Sequence, residues 1–272
     1  MELKIYTVDS FTNEPFKGNP AGVCLLENAL FNYELQNIAS EMNLSETAFI
    51  LPLTEKKLFG DMFSLRWFTP TTEVDLCGHA TLASAHILFS EIQNRSPNII
   101  FETKSGTLIV ERSNDFLTMN FPIDHSERIE IIPEILDSLN LDESIIKQFS
   151  LSKTQRYLTI ELENEAAVKN INPDFQKLNS YRKIPLGGVI VTSRSDAFKT
   201  YDFTSRFFTP WYGIDEDPVT GSSHTVLASY WQKLLDKNTF KARQLSKRGG
   251  ELDLEIKTPE RVLIKGKAIT IL

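Results

Sequence analysis

Cysteine and histidine are scarce in this chain, and their scarcity limits the chemistry that the protein can use. The 272 residues include two cysteines, Cys24 and Cys77, and four histidines. Two cysteines provide no disulfide framework, which favours a reducing, cytoplasmic location. The histidines form no HxH or HExxH pattern, and the cysteines form no zinc knuckle. The sequence therefore predicts a protein without a metal site.

Long apolar runs and an excess of positive charge are also missing. No segment approaches the roughly 18 apolar residues of a membrane span, and strand-like sequence begins at once without a hydrophobic signal region. The formal net charge is −7, and the densest basic stretch, residues 241–250, runs directly into acidic sequence. These features argue against nucleic acids and membranes as partners.

The composition is that of a globular protein with one large domain or two of ordinary size, since 41% of the residues are hydrophobic and 24% are charged. Many short segments rich in β-branched and aromatic residues predict strands. Helices are predicted at residues 32–42, 79–91, 133–140 and about 222–236. In the last of these, Leu227, Trp231 (or Tyr230) and Leu234 share one apolar face.

A repeated pattern divides the chain into two similar halves. The sequence Arg-aromatic-Phe-Thr-Pro occurs at Arg66–Pro70 and again at Arg206–Pro210. In both copies an acidic loop follows, then a glycine that opens a helix, then the letters LAS. We therefore predict two similar α+β halves, residues 1–124 and 125–272, with the last strands able to return to the first half.

The two glycines, Gly78 and Gly221, lie at predicted helix starts, where free backbone N–H groups and the helix dipole favour carboxylates and phosphates. If the halves face each other, both helix starts open on one cleft, the usual place for a ligand. The first junction also carries Cys77 and His79, and the second carries the acidic run Asp215–Asp217.

Glu46 is a further candidate because it precedes the apolar sequence TAFIL. Partial burial there raises the pKa of a carboxylate toward values useful for acid–base catalysis. Each candidate also has a structural alternative. His79 could be a packed or capping side chain, Cys77 a small buried apolar residue, and Glu46 part of a capping box in NLSE. The acidic run before Gly221 could be a turn whose charge suits the following helix.

Four segments of the chain resemble signatures of the PhzF family, the phenazine-biosynthesis-like isomerases. They are DSFTNEPFKGNPAGVCLL, NLSETAFI, LRWFTPTTEVDLCGHATLASAHIL and GIDEDPVTGSSHTVLASYW. The resemblance implies a diaminopimelate-epimerase-like α+β fold with two pseudo-symmetric halves. Each half is a curled, barrel-like sheet around a central helix. Residues 125–200 are the least distinctive part.

The resemblance also implies a cofactor-independent isomerase that moves a proton on carbon of a small carboxylate-bearing, cyclic or amino-acid-like substrate. Glu46, His79 and Asp217 are its implied catalytic residues. The residues implied to bind the substrate are Asn19, Gly78, Gly221 and Ser222. A homodimer is the implied assembly.

Two other functions compete with this one. Epimerases of the same fold pass a proton between two cysteines, but the second junction of this chain has carboxylates and no cysteine. An epimerase would therefore use unlike bases, such as Glu46 with Asp217 or Cys77. The other alternative is a catalytically silent binding or interaction protein.

Overall fold

The computed structural model describes residues 3–54, 61–196 and 200–272. The chain forms two compact units. The first consists of Met1–Asn120 together with Ile264–Leu272, and the second of Phe121–Leu263. Within the described residues, no helix is long and apolar enough to cross a membrane.

The first unit is a sheet built around one buried helix. Its elements in chain order are β1 (Lys4–Ser10), β2 (Asn19–Leu25), α1 (Asn32–Met42), β3 (Glu46–Pro52), β4 (Met62–Phe68), β5 (Glu73–Val74), α2 (Gly78–Ser90), β6 (Asn98–Thr103), β7 (Gly106–Ser113) and β8 (Phe116–Pro122). Strand β1 pairs antiparallel with β2, and β2 pairs parallel with β3. Strand β3 pairs antiparallel with β4, β4 pairs parallel with β6, and β6 pairs antiparallel with β7.

The second unit repeats this order of pairings. Its elements are β9 (Ser126–Arg128), α3 (Pro133–Leu139), β10 (Ile146–Ser152), β11 (Tyr157–Leu162), α4 (Glu165–Lys169), α5 (Phe175–Ser180), β12 (Gly188–Arg194), β13 (Phe203–Thr209), β14 (Ile214–Glu216), α6 (Gly221–Leu235), β15 (Thr239–Gln244), β16 (Gly250–Thr258) and β17 (Arg261–Gly266). Strand β10 pairs antiparallel with β11, β11 pairs parallel with β12, and β12 pairs antiparallel with β13. Strand β13 pairs parallel with β15, and β15 pairs antiparallel with β16. The last strand, β18 (Ala268–Thr270), pairs with β1 in the first unit.

The repeated Arg-aromatic-Phe-Thr-Pro sequence builds the same ion pair in each unit. Arg66 on β4 pairs with Glu73 through Nε at 2.7 Å, and its guanidinium lies over the ring of Phe68. Arg206 on β13 pairs with Glu216, also through Nε at 2.7 Å, and lies over Phe208. The acidic loop after each repeat therefore provides the partner of the repeated arginine, which explains why the two recur together.

Helix α2 is buried on almost every side, from His79 to Phe89. Small residues in the helix allow the surrounding strands to approach. Its buried hydroxyls are satisfied locally, because Thr81 donates to the carbonyl of Cys77 at 2.6 Å and Ser84 to that of Ala80 at 2.7 Å. Such bonds remove most of the cost of burying a polar group.

The four predicted helices are confirmed within one residue at each end, as α1, α2, α3 and α6. The predicted apolar face of α6 is correct for Leu227, Tyr230 and Trp231, which are buried, but wrong for Leu234, which is 48% exposed. Leu234 lies in the last turn of the helix, where the side chains of residues 232–235 are no longer buried. The short helices α4 and α5 were not predicted, since five or six residues give too little periodicity.

Candidate active site

A side chain of strand β1 holds the backbone of the first turn of α2. Gly78 is the first helical residue, and Cys77 before it has an extended backbone with φ −144°. Ser10 at the end of β1 donates its hydroxyl to the carbonyl of His79 at 2.8 Å. Since Ser10 is fully buried, this bond fixes the start of α2 against the sheet.

The ring of His79 is surrounded by side chains from β2, from the start of β3 and from its own helix. Its Nδ1 lies 3.2 Å from Nδ2 of Asn19 and 3.5 Å from Sγ of Cys77. Its Nε2 lies 3.2 Å from Oε2 of Glu46 and 3.3 Å from Oγ of Ser45. Three of the candidates from the sequence, Asn19, Glu46 and His79, therefore meet in the first unit, beside Gly78 and Cys77.

Glu46 begins β3, where the parallel register places it opposite Ala21 of β2. Burial raises the pKa of its carboxyl from an ordinary value of 4.5 to about 7, and hydrogen bonds with Ser45 and Cys77 lower it only partly. The predicted rise in the pKa of Glu46 is thus confirmed. The capping-box alternative is wrong, since residue 46 begins a strand and not a helix.

Ligand atoms of Glu46, Cys77 and His79 lie within 4.8 Å of one another. A carboxylate, a thiolate and an imidazole are all ligands of zinc and similar ions. Among the residues that the structure describes, these three side chains are thus the group that could hold a metal ion. The expectation from the sequence that no metal is used stays a prediction.

At the second junction, Asp217 lies in the loop between β14 and α6. Its carboxylate accepts a hydrogen bond from the hydroxyl of Thr220, and its backbone N–H donates to the carbonyl of Phe207 at 3.1 Å. Gln244 of β15 donates to the carbonyl of Asp217 at 2.7 Å and accepts the N–H of Thr220 at 2.9 Å. The acidic loop is therefore fixed by hydrogen bonds and is not merely a solvated turn.

Ser222, in the first turn of α6, contacts a residue that the sequence did not indicate. Its hydroxyl lies 3.0 Å from Oη of Tyr157, and its carbonyl accepts from Nε2 of Gln155 at 3.3 Å. Burial raises the pKa of Tyr157, and the nearby Asp217 raises it further. Tyr157 lies in the least distinctive part of the chain. The pair of glycines where β12 begins was the one signal in the sequence for the position of Tyr157. A Cβ at Gly187 would lie 2.9 Å from the ring of Tyr157.

Within the described part of the second unit, the cluster around Glu46 has no counterpart. Thr47 pairs with Phe68 on β4, and Val189 pairs with Phe208 on β13, so Gly188 occupies the position equivalent to Glu46. Thr220 precedes α6 where Cys77 precedes α2. The duplication thus preserves the scaffold, while the ionisable cluster lies in the first unit.

The first unit also has a cavity of about 400 Å³, located away from Glu46. Its lining residues include His86, Phe89, Arg112, Asp115 and Lys267. They surround the C-terminal end of α2, whereas Glu46 and His79 lie at its N-terminal end. The chemistry of the Glu46 cluster decides the choice of site, because the walls of this cavity hold no acid–base pair in such close contact.

The pKa of Glu46 has a consequence for stability. Because the folded-state pKa of about 7 exceeds the ordinary 4.5, folding favours the protonated form. The contribution of the protonated carboxyl to the free energy of unfolding is complete below pH 4.5 and is lost as the pH rises through 7. The Glu46→Gln variant has no carboxyl to ionise, so it keeps its stability as the pH rises. We expect its unfolding free energy to exceed that of the wild type by about 2–3 kcal/mol at pH 8 and to match it near pH 4.5. Urea unfolding at both pH values measures this difference.

The control for this prediction is Glu41→Gln, which removes an exposed carboxyl from α1. It should leave the difference between the two pH values unchanged. Equal pH dependence in wild type and Glu46→Gln would contradict the assignment of a raised pKa to Glu46.

Comparison with known proteins identifies the family. The sequence pattern of the family described as "PhzC-PhzF: Phenazine biosynthesis-like protein" matches residues 8–272. The chain is 45% identical over 275 residues to "Uncharacterized isomerase BH0283" of Halalkalibacterium halodurans, covering 100% of this chain and 97% of the relative.

Two solved structures bear on the fold. A PhzF-family protein of Enterococcus faecalis has a TM-score of 0.90 at 42% identity, covering 100% of this chain and 98% of that one. A protein of Pseudomonas aeruginosa described as a predicted epimerase has a TM-score of 0.72 at 19% identity, covering 100% and 98%, and shares the fold alone. The predicted epimerase-like fold is confirmed, and the chain belongs to the PhzC-PhzF, phenazine biosynthesis-like family as an enzyme of the isomerase class.

Proposed function

We propose that this enzyme isomerises a small carboxylate-bearing metabolite by moving a proton on carbon, with Glu46 as the general acid and base. The observation that carries the proposal is the buried Glu46 carboxyl, whose pKa of about 7 lets it both accept and return a proton near neutrality. Efficient acid–base catalysis requires such a match between pKa and working pH. An isomerisation conserves atoms and oxidation state overall, and we propose that this one proceeds without a cofactor.

His79 is the proposed partner of Glu46. Its Nε2 lies 3.2 Å from Oε2 of Glu46, close enough for an ion pair when the ring is protonated. His79 is also 6% exposed, so water competes little for this contact. We propose that it orients Glu46 and responds to the change in charge when a proton moves.

The substrate carboxylate is the proposed ligand of the helix starts. Gly78 opens α2, and Gly221 and Ser222 open α6. Backbone N–H groups in a first helical turn bind anions. Asp217 is the third proposed catalytic residue. The hydrogen bond from Thr220 fixes its carboxylate, which suits it to orient a polar or cationic group of the substrate.

An epimerase with unlike bases is the second candidate. It is favoured by the position of Cys77, whose sulfur lies 3.5 Å from Nδ1 of His79 and also hydrogen-bonds Glu46. A thiol in that position could serve as a second acid. The closeness of Glu46 and Cys77 weighs against it, because two bases that act on opposite faces of a carbon must stand apart. The third candidate is a binding protein, in which the cluster would recognise a carboxylate without turnover.

A panel of cyclic and α-amino carboxylates tests the proposal. Compounds that raise the melting temperature bind the folded state and are then incubated with the enzyme. A shifted double bond in the product supports the proposed isomerase. Inverted configuration without a shifted bond supports the epimerase, and binding without any product supports the binding protein. Light scattering of the same samples tests the proposed homodimer.

A further inference from the structure

The cavity at the C-terminal end of α2 is built from four parts of the first unit. They are the loop after β1, the C-terminal part of α2, the hairpin of β7 and β8, and the segment that joins β17 to β18. Its volume of about 400 Å³ lies within the range of small-molecule sites. The tertiary fold of this unit therefore forms a cavity large enough for a ligand.

The buried walls of the cavity are apolar. Phe89 of α2 and Leu117 of β8 are each 5% exposed, and Ala268 and Ile269 of β18 lie partly buried beside the same space. A ligand that covers apolar walls displaces water from them, which favours binding. These walls suit the apolar body of a small organic molecule.

The charges around the cavity favour an anion. Its charged lining residues are two cations, Arg112 and Lys267, and one carboxylate, Asp115. Burial lowers the pKa of His86, so its ring adds no charge near neutrality. The cavity thus has a formal excess of one positive charge in a chain whose net charge is −7. A local charge opposite to that of the whole chain attracts anions to this place.

The guanidinium of Arg112 keeps donors for a ligand. It lies over the ring of Phe89, 4.7 Å from the ring centroid. Within the described residues, its one hydrogen-bond acceptor is the carbonyl of Phe89 at 3.4 Å, a long distance for such a bond. The dipole of α2 would by itself favour a cation here. That contact uses one of the five N–H donors of a guanidinium, however, and leaves the others for a carboxylate or phosphate.

The ammonium of Lys267 is also weakly engaged. Its Nζ lies 3.7 Å from Oδ2 of Asp115, whose side chain is 84% exposed. Exposed ion pairs of this kind contribute little free energy. Lys267 can therefore exchange Asp115 for the anionic group of a ligand at small cost.

The walls are already in place without a ligand. The N–H of Thr12 donates to the carbonyl of Lys267 at 3.2 Å, and β18 pairs with β1. The hydroxyl of Thr270 on β18 donates to Glu91 at 2.8 Å and lies 3.1 Å from Nε2 of His86. These bonds join β18 to the end of α2. A preformed site avoids much of the ordering cost of binding.

We propose that this cavity is a second binding site, which takes a small organic anion: a carboxylate or a phosphate ester with an aromatic or aliphatic body. Arg112 and Lys267 bind the anionic group, and Phe89 and Leu117 contact the body. The lining residues include no member of the Glu46 cluster. The proposal is therefore independent of the proposed function.

The test titrates full-length protein, ¹³C-labelled at the δ1 methyl groups of isoleucine, with benzoate, phenyl phosphate and neutral benzyl alcohol. The NMR signal of Ile269 is assigned by its loss in Ile269→Val. It should shift saturably with at least one anion and not with benzyl alcohol, while Ile190 of the second unit stays unshifted. Arg112→Gln should weaken this binding at least about tenfold. Asp115→Asn should tighten it, because Lys267 loses its competing carboxylate.

Two exposed residues outside the cavity provide matched controls. Glu111→Gln removes the same charge as Asp115→Asn, but Glu111 precedes Arg112 on β7 and so points to the other face of the strand. Arg194→Gln repeats the arginine change at the end of β12. Both should leave the affinity unchanged. No shift of Ile269 with either anion, an equal shift with benzyl alcohol, or wild-type affinity in Arg112→Gln would overturn the proposal. A saturable shift in a protein that turns over no substrate would count against the proposed function alone.

Discussion

Glu46→Gln should reduce turnover by at least about 100-fold, the lower end of what general acid–base catalysis contributes. Glutamine keeps the shape of the side chain and can still make hydrogen bonds. It cannot take up and release a proton. We therefore expect the variant to bind a ligand found by thermal shift as tightly as the wild type while losing kcat. Initial rates and binding titrations on the same preparation measure both quantities.

Cys77→Ser is the matched control, because it changes an ionisable neighbour of Glu46 by one atom. If Cys77 is not an essential base, this variant should keep substantial turnover. A loss in Cys77→Ser equal to that in Glu46→Gln would favour the epimerase with unlike bases. Wild-type rates in Glu46→Gln would show that the base has been misassigned.

Arg206→Met should lower the free energy of unfolding by about 3 kcal/mol, the low end of the cost of removing one partner of a buried ion pair. The side chain of Arg206 is 11% exposed and that of Glu216 is 19% exposed. Besides this pair, Arg206 donates to the carbonyl of Ile171 at 2.7 Å. Methionine leaves the carboxylate and the carbonyl without this donor. Denaturant unfolding measures the loss.

The duplicated unit provides the control. Arg66 makes the same ion pair with Glu73, but its side chain is 27% exposed, and Lys104 also contacts Glu73 at 2.5 Å. Lys104 still pairs with Glu73 when Arg66 is lost, so Arg66→Met should cost about 1 kcal/mol or less. Equal costs at the two positions would contradict the view that the buried Arg206, which no second cation in the described residues replaces, makes the second copy the stronger one.

The duplicated scaffold could be predicted from the sequence because its signal is local. Each Arg-aromatic-Phe-Thr-Pro segment contains the arginine of the ion pair and the phenylalanine beneath it. The acidic partner follows within the next loop. The rise in the pKa of Glu46 could also be predicted, because the apolar sequence that follows it indicated burial.

The surroundings of His79 and Ser222 could not be predicted in the same way. The contact of Asn19 with His79 depends on how β1 and β2 pair and on where α2 begins, and no short segment encodes these together. Tyr157 meets Ser222 across 65 positions of the chain. That Asn19 binds substrate stays a prediction, and its contact with Nδ1 of His79 was not foreseen. Long-range register decides such contacts.

Transfer of solvent hydrogen to carbon tests the central claim most directly. The wild-type enzyme is incubated in D₂O with a substrate from the carboxylate panel and a metal chelator, and the product is analysed by NMR and mass spectrometry. If Glu46 exchanges its proton with solvent during the reaction, the product carries deuterium on a carbon atom, and Glu46→Gln abolishes the label. Conversion of the substrate by the wild type with no deuterium on carbon, at any extent of reaction, would contradict the account.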